Sequence, residues 1–143
     1  MTKYVITSVQ SQRSFTVRLP GMSEMRGRYY DRLRILHLES LELRRLHIDL
    51  QYVYKIYYGL TDLDFSAFFA RNSSSARGNC CKLFQPALHR NLACRRHYFT
   101  NRIIPVWNSL PNEVVLASSL EAFKRELSKF SFDNLLHFSG STV

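Results

Sequence analysis

The residues of this sequence with the sharpest intrinsic chemistry are three cysteines and the histidines beside them. Cys80 and Cys81 are adjacent, and His89, Cys94 and His97 follow at short intervals. Thiolate and imidazole are the ligands that zinc prefers, four at a time on a tetrahedron. Cys81, His89 and Cys94, completed by Cys80 or His97, supply such a donor set. The obstacle is that neighbouring thiolates rarely reach one ion together. The expectation is therefore no metal and no cofactor, with these residues serving as small part-buried thiols and basic-loop histidines. Carboxylate chemistry is no richer. A polymerase or nuclease needs clustered carboxylates to hold two metal ions. Here Asp62 and Asp64 flank a leucine just after a helix, and Asp31 and Asp49 lie elsewhere. Surface and capping roles account for all four. Gly59, Gly78 and Gly140 stand alone, so no phosphate-cradling loop is present, and there is no Gly-x-Ser-x-Gly elbow. Nothing local joins a cysteine to a histidine as nucleophile and base. Neither an isolated enzyme nor a small-molecule substrate is expected.

Charge is the stronger signal. The 143 residues carry a formal charge of +9. Residues 71–102 hold 7 basic residues and no acidic one, and residues 1–48 hold 9 basic against 4 acidic. Such zones fit a polyanion, because each neutralised phosphate releases counterions. Between Arg90 and Arg102 the arginines alternate with His97, Tyr98 and Phe99. Arginine supplies charge and bidentate phosphate contacts, and an exposed ring can stack on a base. The candidate nucleic-acid contacts are Arg44, Arg45, Arg77, Lys82, Arg90, Arg95, Arg96 and Arg102. Equally, Tyr98 and Phe99 could anchor a loop to the core while the arginines splay into water.

Helices must position these residues. Ser40 can cap a helix running to Gly59, with Leu43, Leu46, Leu50, Val53 and Tyr57 forming one apolar stripe. Ser118 with Glu121 fits a capping box for a helix ending at Phe130, whose buried face is Leu120, Phe123, Leu127 and Phe130. A shorter helix is expected over Tyr30–Leu38, another beginning before Gln12 with Val5, Val9 and Ile6 inward, and a turn or two over Asp62–Phe69. Ile103, Val106, Trp107 and Leu110 share a helical face, with Trp107 a core anchor, and Pro111 opens a short helix through Val115. Residues 71–98 lack periodicity, apart from a short extended piece over Cys80–Phe84. The reading is a mainly α protein, a small helical bundle with an irregular basic region at about 71–98. It forms a single helical domain over 1–143, with parts 1–70, 71–98 and 99–143.

Hydrophobic residues make up 45% and charged residues 22%, the balance of a soluble globular domain. No apolar run could cross a bilayer, and the N-terminus does not read as a secretory signal. An odd cysteine count with an adjacent pair fits a reducing interior, so an intracellular location without a membrane is expected.

Several blocks, in order, carry a family resemblance. They are Val9-Gln10 through Phe15-Thr16 to Leu19-Pro20-Gly21-Met22, and Tyr30-Asp31-Arg32-Leu33 with Leu38 to Arg45. Asp49-Leu50, Val53 to Ile56, Gly59-Leu60, Arg77-Gly78 and Lys82-Leu83 continue the series. The most specific block is Phe99, Arg102, Trp107-Asn108-Ser109-Leu110-Pro111, Val114-Val115, Ala117, Ser119-Leu120 and Phe123-Lys124. Across residues 8–130 the chain resembles the segment after the polymerase core in reverse transcriptases of non-LTR (LINE-type, jockey/CR1-like) retrotransposons. The resemblance implies a piece of an RNA-directed DNA polymerase polyprotein that copies element RNA at a nicked genomic target, in the nucleus. In that family the metal-binding aspartates lie upstream, so no catalytic residue carries over, and positions 80, 81 and 94 are not reliably cysteine. RNA or DNA and the polymerase core of the parent polyprotein are the implied partners. A Met1 heading this segment implies a truncated gene copy. Two expectations follow: a nucleic-acid-binding accessory domain, or a structural module (or decayed fragment) that docks on the polymerase core without activity of its own.

Overall fold

Ser40 begins the longest helix as its sequence requires, its Oγ accepting the Leu43 N–H at 3.2 Å. That helix belongs to a computed structural model that describes residues 3–72, 79–85 and 98–132. The protein is mainly helical, and no strand longer than an isolated bridge occurs among the described residues. The helices are α1 (Lys3–Val17), α2 (Tyr29–Ile35), α3 (Leu41–Tyr57), α4 (Phe65–Phe68), α5 (Phe99–Ser109), α6 (Asn112–Val115) and α7 (Leu120–Lys129). A single 3-10 turn, Ser23–Met25, precedes α2. Two compact units result, Met1–Arg45 and Leu46–Val143, and the boundary between them falls inside α3.

The first unit packs α1 on α2. Helix α1 begins before Gln12, as expected, and runs on to Val17. The chain then reverses at Leu19-Pro20-Gly21-Met22. The Met22 N–H bonds Leu19 O at 3.0 Å, and Gly21 sits at φ 76°, which is type II turn chemistry. The centre of the unit is a buried arginine. Arg32 is 1% exposed. Its Nε donates to Thr16 Oγ1 at 3.2 Å, Nη1 to Arg26 O at 3.0 Å and to Met25 O, and Nη2 to Arg13 O at 3.3 Å. Gln12 adds a second tie. Its Oε1 accepts from the Tyr29 hydroxyl and from the Leu41 N–H at 3.2 Å, and its Nε2 donates to Glu39 O at 3.1 Å.

Helices α2 and α3 end alike. The Leu38 N–H reaches Leu33 O at 2.8 Å and the His37 N–H reaches Arg34 O at 3.2 Å. The Leu60 N–H reaches Lys55 O at 2.8 Å and the Gly59 N–H reaches Ile56 O at 3.3 Å. Both are Schellman motifs, which need a left-handed residue just past the helix. Gly59 supplies it at φ 65°, whereas after α2 a histidine, His37, is held at φ 51°.

The second unit is built on α3. Leu50, Val53, Tyr54 and Ile56 are its buried residues. The expected stripe is therefore rotated: Leu43, Leu46 and Tyr57 are only half-buried, and Tyr54 and Ile56 go inward. Tyr54 turns in because its hydroxyl finds a partner, Ala117 O at 2.7 Å, and its ring stacks on Phe123 at 4.5 Å. Helix α7 is capped by Ser119, whose Oγ accepts the Ala122 N–H at 3.1 Å. The capping box expected of Ser118 and Glu121 is thus displaced by one residue, and Glu121 instead pairs with Lys124 at 2.9 Å. Phe123 and Leu127 are the buried residues of α7, while Leu120 and Phe130 are half-buried. Trp107 is fully buried, between Phe123 and Tyr57, as the sequence led one to expect. Beside it Ile103, Ile104 and Leu110 go in, with Ile104 taking the place assigned to Val106. Pro105 lies within α5, exposed to solvent.

Candidate nucleic-acid interface

Backbone bonds close the neck of the basic region. The Asn72 N–H reaches Lys82 O at 2.9 Å, and the Phe84 N–H reaches Ala70 O at 2.7 Å. Arg71 and Leu83 face each other across this antiparallel bridge as a non-hydrogen-bonded pair, which leaves both Leu83 backbone groups pointing away. Asn108 takes the place of a third strand there. Its Oδ1 accepts the Leu83 N–H at 2.8 Å and its Nδ2 donates to Leu83 O at 2.8 Å. Trp107 Nε1 donates to Cys81 O at 2.8 Å, and Asn112 Oδ1 accepts the Cys80 N–H at 2.9 Å. In return Asn79 Nδ2 covers two carbonyls at the end of α5, those of Trp107 at 2.9 Å and Leu110 at 3.0 Å. The block Trp107-Asn108-Ser109-Leu110-Pro111-Asn112 is therefore a clamp that fixes the extended piece around Leu83.

Arg71 stands at this neck. Its guanidinium lies 5.0 Å from the centre of the Tyr57 ring and 5.6 Å from that of Phe65, a double cation–π seat that orients the head while leaving the residue exposed. The sequence counted Arg71 only as one charge among several. The signal that distinguishes it, two rings on α3 and α4, comes from residues remote in the chain. Burial pushes the Tyr57 hydroxyl up to about 12; Cys81 adds to the shift and Arg71 opposes it. Tyr58 is raised for the same first reason, with Cys81 again contributing, and its hydroxyl bonds Val115 O at 2.7 Å.

The candidates named from sequence fall in different places. Arg44 and Arg45 are exposed on α3, in the first unit, and Arg45 is already engaged in an interaction. Lys82 is half-buried on the clamped piece and is also engaged. Arg102 is exposed on α5 and forms an ion pair with Asp49 of α3. Arg77, Arg90, Arg95 and Arg96 lie outside the described residues, as do His89, Cys94 and His97 of the candidate metal set. Within the second unit, α3 and α5 bring Arg102, Asp49, Tyr52 and Phe99 together; the Tyr52 and Phe99 rings meet edge-on at 6.3 Å. Tyr98, at the entrance to α5, is 60% exposed. One basic residue leaves the surface altogether: Arg32, buried among carbonyls, adds nothing to an external field.

Two of the carboxylates singled out from sequence, Asp64 and Asp31, have local partners. Asp64 caps α4, Oδ1 accepting the Ser66 N–H at 3.0 Å and Oδ2 the Ser66 hydroxyl at 2.6 Å, and these bonds hold its pKa below the usual aspartate range. Asp31 lies 4.0 Å from Arg34. Cys80 is exposed and Cys81 buried, both with free thiols, and their sulfurs stand 3.8 Å apart. No group of three or more His, Cys, Asp or Glu side chains converges among the described residues. No helix of the described residues is long and apolar enough to cross a membrane. Against this geometry, no protein-family model, no curated protein and no solved structure matches the chain.

Proposed function

We propose that this chain is a non-catalytic accessory module that grips RNA or DNA beside a polymerase core, of the kind that follows the core in non-LTR retrotransposon reverse transcriptases. The observation that carries the reading is the uninterrupted positive run of residues 71–102, 7 basic and no acidic. The run starts at a clamped neck and ends on α5, whose inner face is buried. Arg71 at one end is exposed and seated on two rings, and Tyr98 and Arg102 at the other are exposed. Rigid ends lower the ordering cost of a strand-binding segment. The arginine heads meet phosphates, and Tyr98 offers a face on which a base can stack. In this reading Arg102 exchanges Asp49 for a phosphate, a small loss for an exposed pair.

The test is the salt dependence of binding to a single-stranded RNA. Each neutralised phosphate contributes about −0.7 to the slope of log affinity against log salt. Replacing Arg90, Arg95 and Arg96 together by Gln flattens that slope by about 2. Affinity that is equal at about 50 and 200 mM salt, or absent at both, rejects the proposal.

A second reading, a docking module that completes the polymerase core, has its own support. Phe68 and Phe84 are exposed, and with Phe69 and Ile104 they line a groove of about 220 Å³. Exposed apolar clusters mark partner surfaces. Under this reading Phe84→Asp abolishes association with the polymerase core and leaves RNA affinity unchanged.

A further inference from the structure

The first unit holds its own concentration of charge. Residues 13–28 carry four arginines, Arg13, Arg18, Arg26 and Arg28, against one acid, Glu24. All four arginines are exposed, and none forms an ion pair among the described residues. The buried Arg32 gathers three of them. Its Nη2 donates to Arg13 O at 3.3 Å, and its Nη1 to Arg26 O at 3.0 Å and to Met25 O. The Arg28 N–H closes on that same Met25 O at 3.0 Å. The main chain at 13, 26 and 28 therefore meets around one guanidinium, and three exposed cationic side chains leave from that point. Arg13 is also oriented, with its guanidinium 4.9 Å from the centre of the buried Tyr29 ring.

The chemistry of the patch selects its partner. Every basic residue between Lys3 and Lys55 is an arginine. A planar guanidinium fork matches phosphate oxygens two at a time, which an ammonium does not. Cations carried on α1 and on the connection into α2 suit a polymer with repeated phosphates. Phe15 is the one exposed large apolar side chain between 13 and 28, too little to insert into a lipid surface. We propose that Arg13, Arg26 and Arg28, with Arg18 beside them, form a second nucleic-acid contact, one that holds phosphates and discriminates no sequence. Arg32 is its anchor and touches no ligand. The contact lies in a different unit from most of the 71–102 run and does not depend on it.

The test uses the full chain and a fluorescein-labelled duplex DNA of mixed sequence, titrated at several salt concentrations. On duplex DNA each neutralised phosphate contributes about −0.9 to the slope of log affinity against log salt. Arg26→Gln combined with Arg28→Gln, at exposed positions, flattens the slope by about 2 and lowers affinity about tenfold, with unchanged helix content. Adding Arg13→Gln flattens it further, and Glu24→Gln raises affinity. The same losses are expected on a duplex of scrambled sequence. A slope unchanged by the Arg26 and Arg28 changes, in a chain that binds, overturns this inference and leaves the reading of 71–102 standing. A slope unchanged by replacing Arg90, Arg95 and Arg96 counts against that reading and not against this contact. Losses confined to one duplex sequence, or a parent chain that collects on phosphatidylserine vesicles but binds no duplex, also overturn the inference.

Discussion

Replacing Arg32 tests whether geometry or charge holds the first unit together. The guanidinium makes four hydrogen bonds, three of them to backbone carbonyls, in a 1% exposed position. Its removal affects the acceptors unequally. Met25 O keeps the Arg28 N–H at 3.0 Å, and Arg13 O keeps the Thr16 hydroxyl at 3.1 Å. Arg26 O loses the guanidinium, a loss of about 1–3 kcal/mol if the carbonyl stays buried. The charge-assisted bonds lost are worth about 1.5–3 kcal/mol each, and the several kcal/mol spent on desolvating the cation are recovered. The balance for Arg32→Met, which refills the volume, is a loss of about 2–4 kcal/mol. Arg32→Lys keeps the charge but replaces a planar fork with one strongly hydrated ammonium. It therefore does no better than Met. Urea denaturation followed by circular dichroism measures the loss, and hydrogen exchange of the α1 and α2 amides localises it. If Arg32→Lys lies within about 0.5 kcal/mol of wild type while Arg32→Met does not, charge alone is sufficient and the argument fails.

Three further outcomes are expected. At the two Schellman ends, His37→Gly stabilises by about 1 kcal/mol and Gly59→Ala destabilises by about the same. A methyl group added at Gly59 meets nothing within 4 Å, so the second change isolates the backbone term in thermal unfolding. Asn108→Leu strands both Leu83 backbone groups and costs about 2–4 kcal/mol, read as a lowered urea midpoint with altered Trp107 fluorescence. Tyr29 is pushed up to about 12, chiefly by burial and then by Glu42 and Tyr30, with Arg13 and Arg32 opposing. The unfolded chain ionises first, so stability present below pH 10 is lost as pH rises from 10 towards 12. Tyr29→Phe makes the pH–stability curve flatter over that interval, and an identical curve refutes the shift.

Local physics was legible in the sequence. The start of α3 at Ser40, its stop at Gly59 and the buried Trp107 follow from neighbours a few residues away. The cap of α7 slipped from Ser118 to Ser119 because two adjacent serines offer the same chemistry, and backbone geometry chooses between them. The rotated face of α3 was not legible: Tyr54 turns inward for Ala117 O, 63 residues away. Nothing set Arg32 apart from the other basic residues of 1–48 for the same reason, since its acceptors are mostly carbonyls of other segments and carbonyls have no sequence. Among the candidate site residues, Arg44, Arg45 and Arg102 are exposed. The seat of Arg71, the clamp built by Asn79, Asn108 and Asn112, and the convergence of Cys80 with Cys81 depend on tertiary contact alone.

The two bonds that tie residue 72 to 82 and 84 to 70 have a practical corollary. Because those ends are pinned, residues inserted between 72 and 79 leave the joint itself untouched, and by loop-closure entropy each doubling of the enclosed length costs only about 0.6 kcal/mol. A fluorophore tag, a protease cleavage sequence or extra lysines can be spliced in at that point, and the melting temperature then reports how well the pinned base isolates the hydrophobic interior from whatever the insert carries.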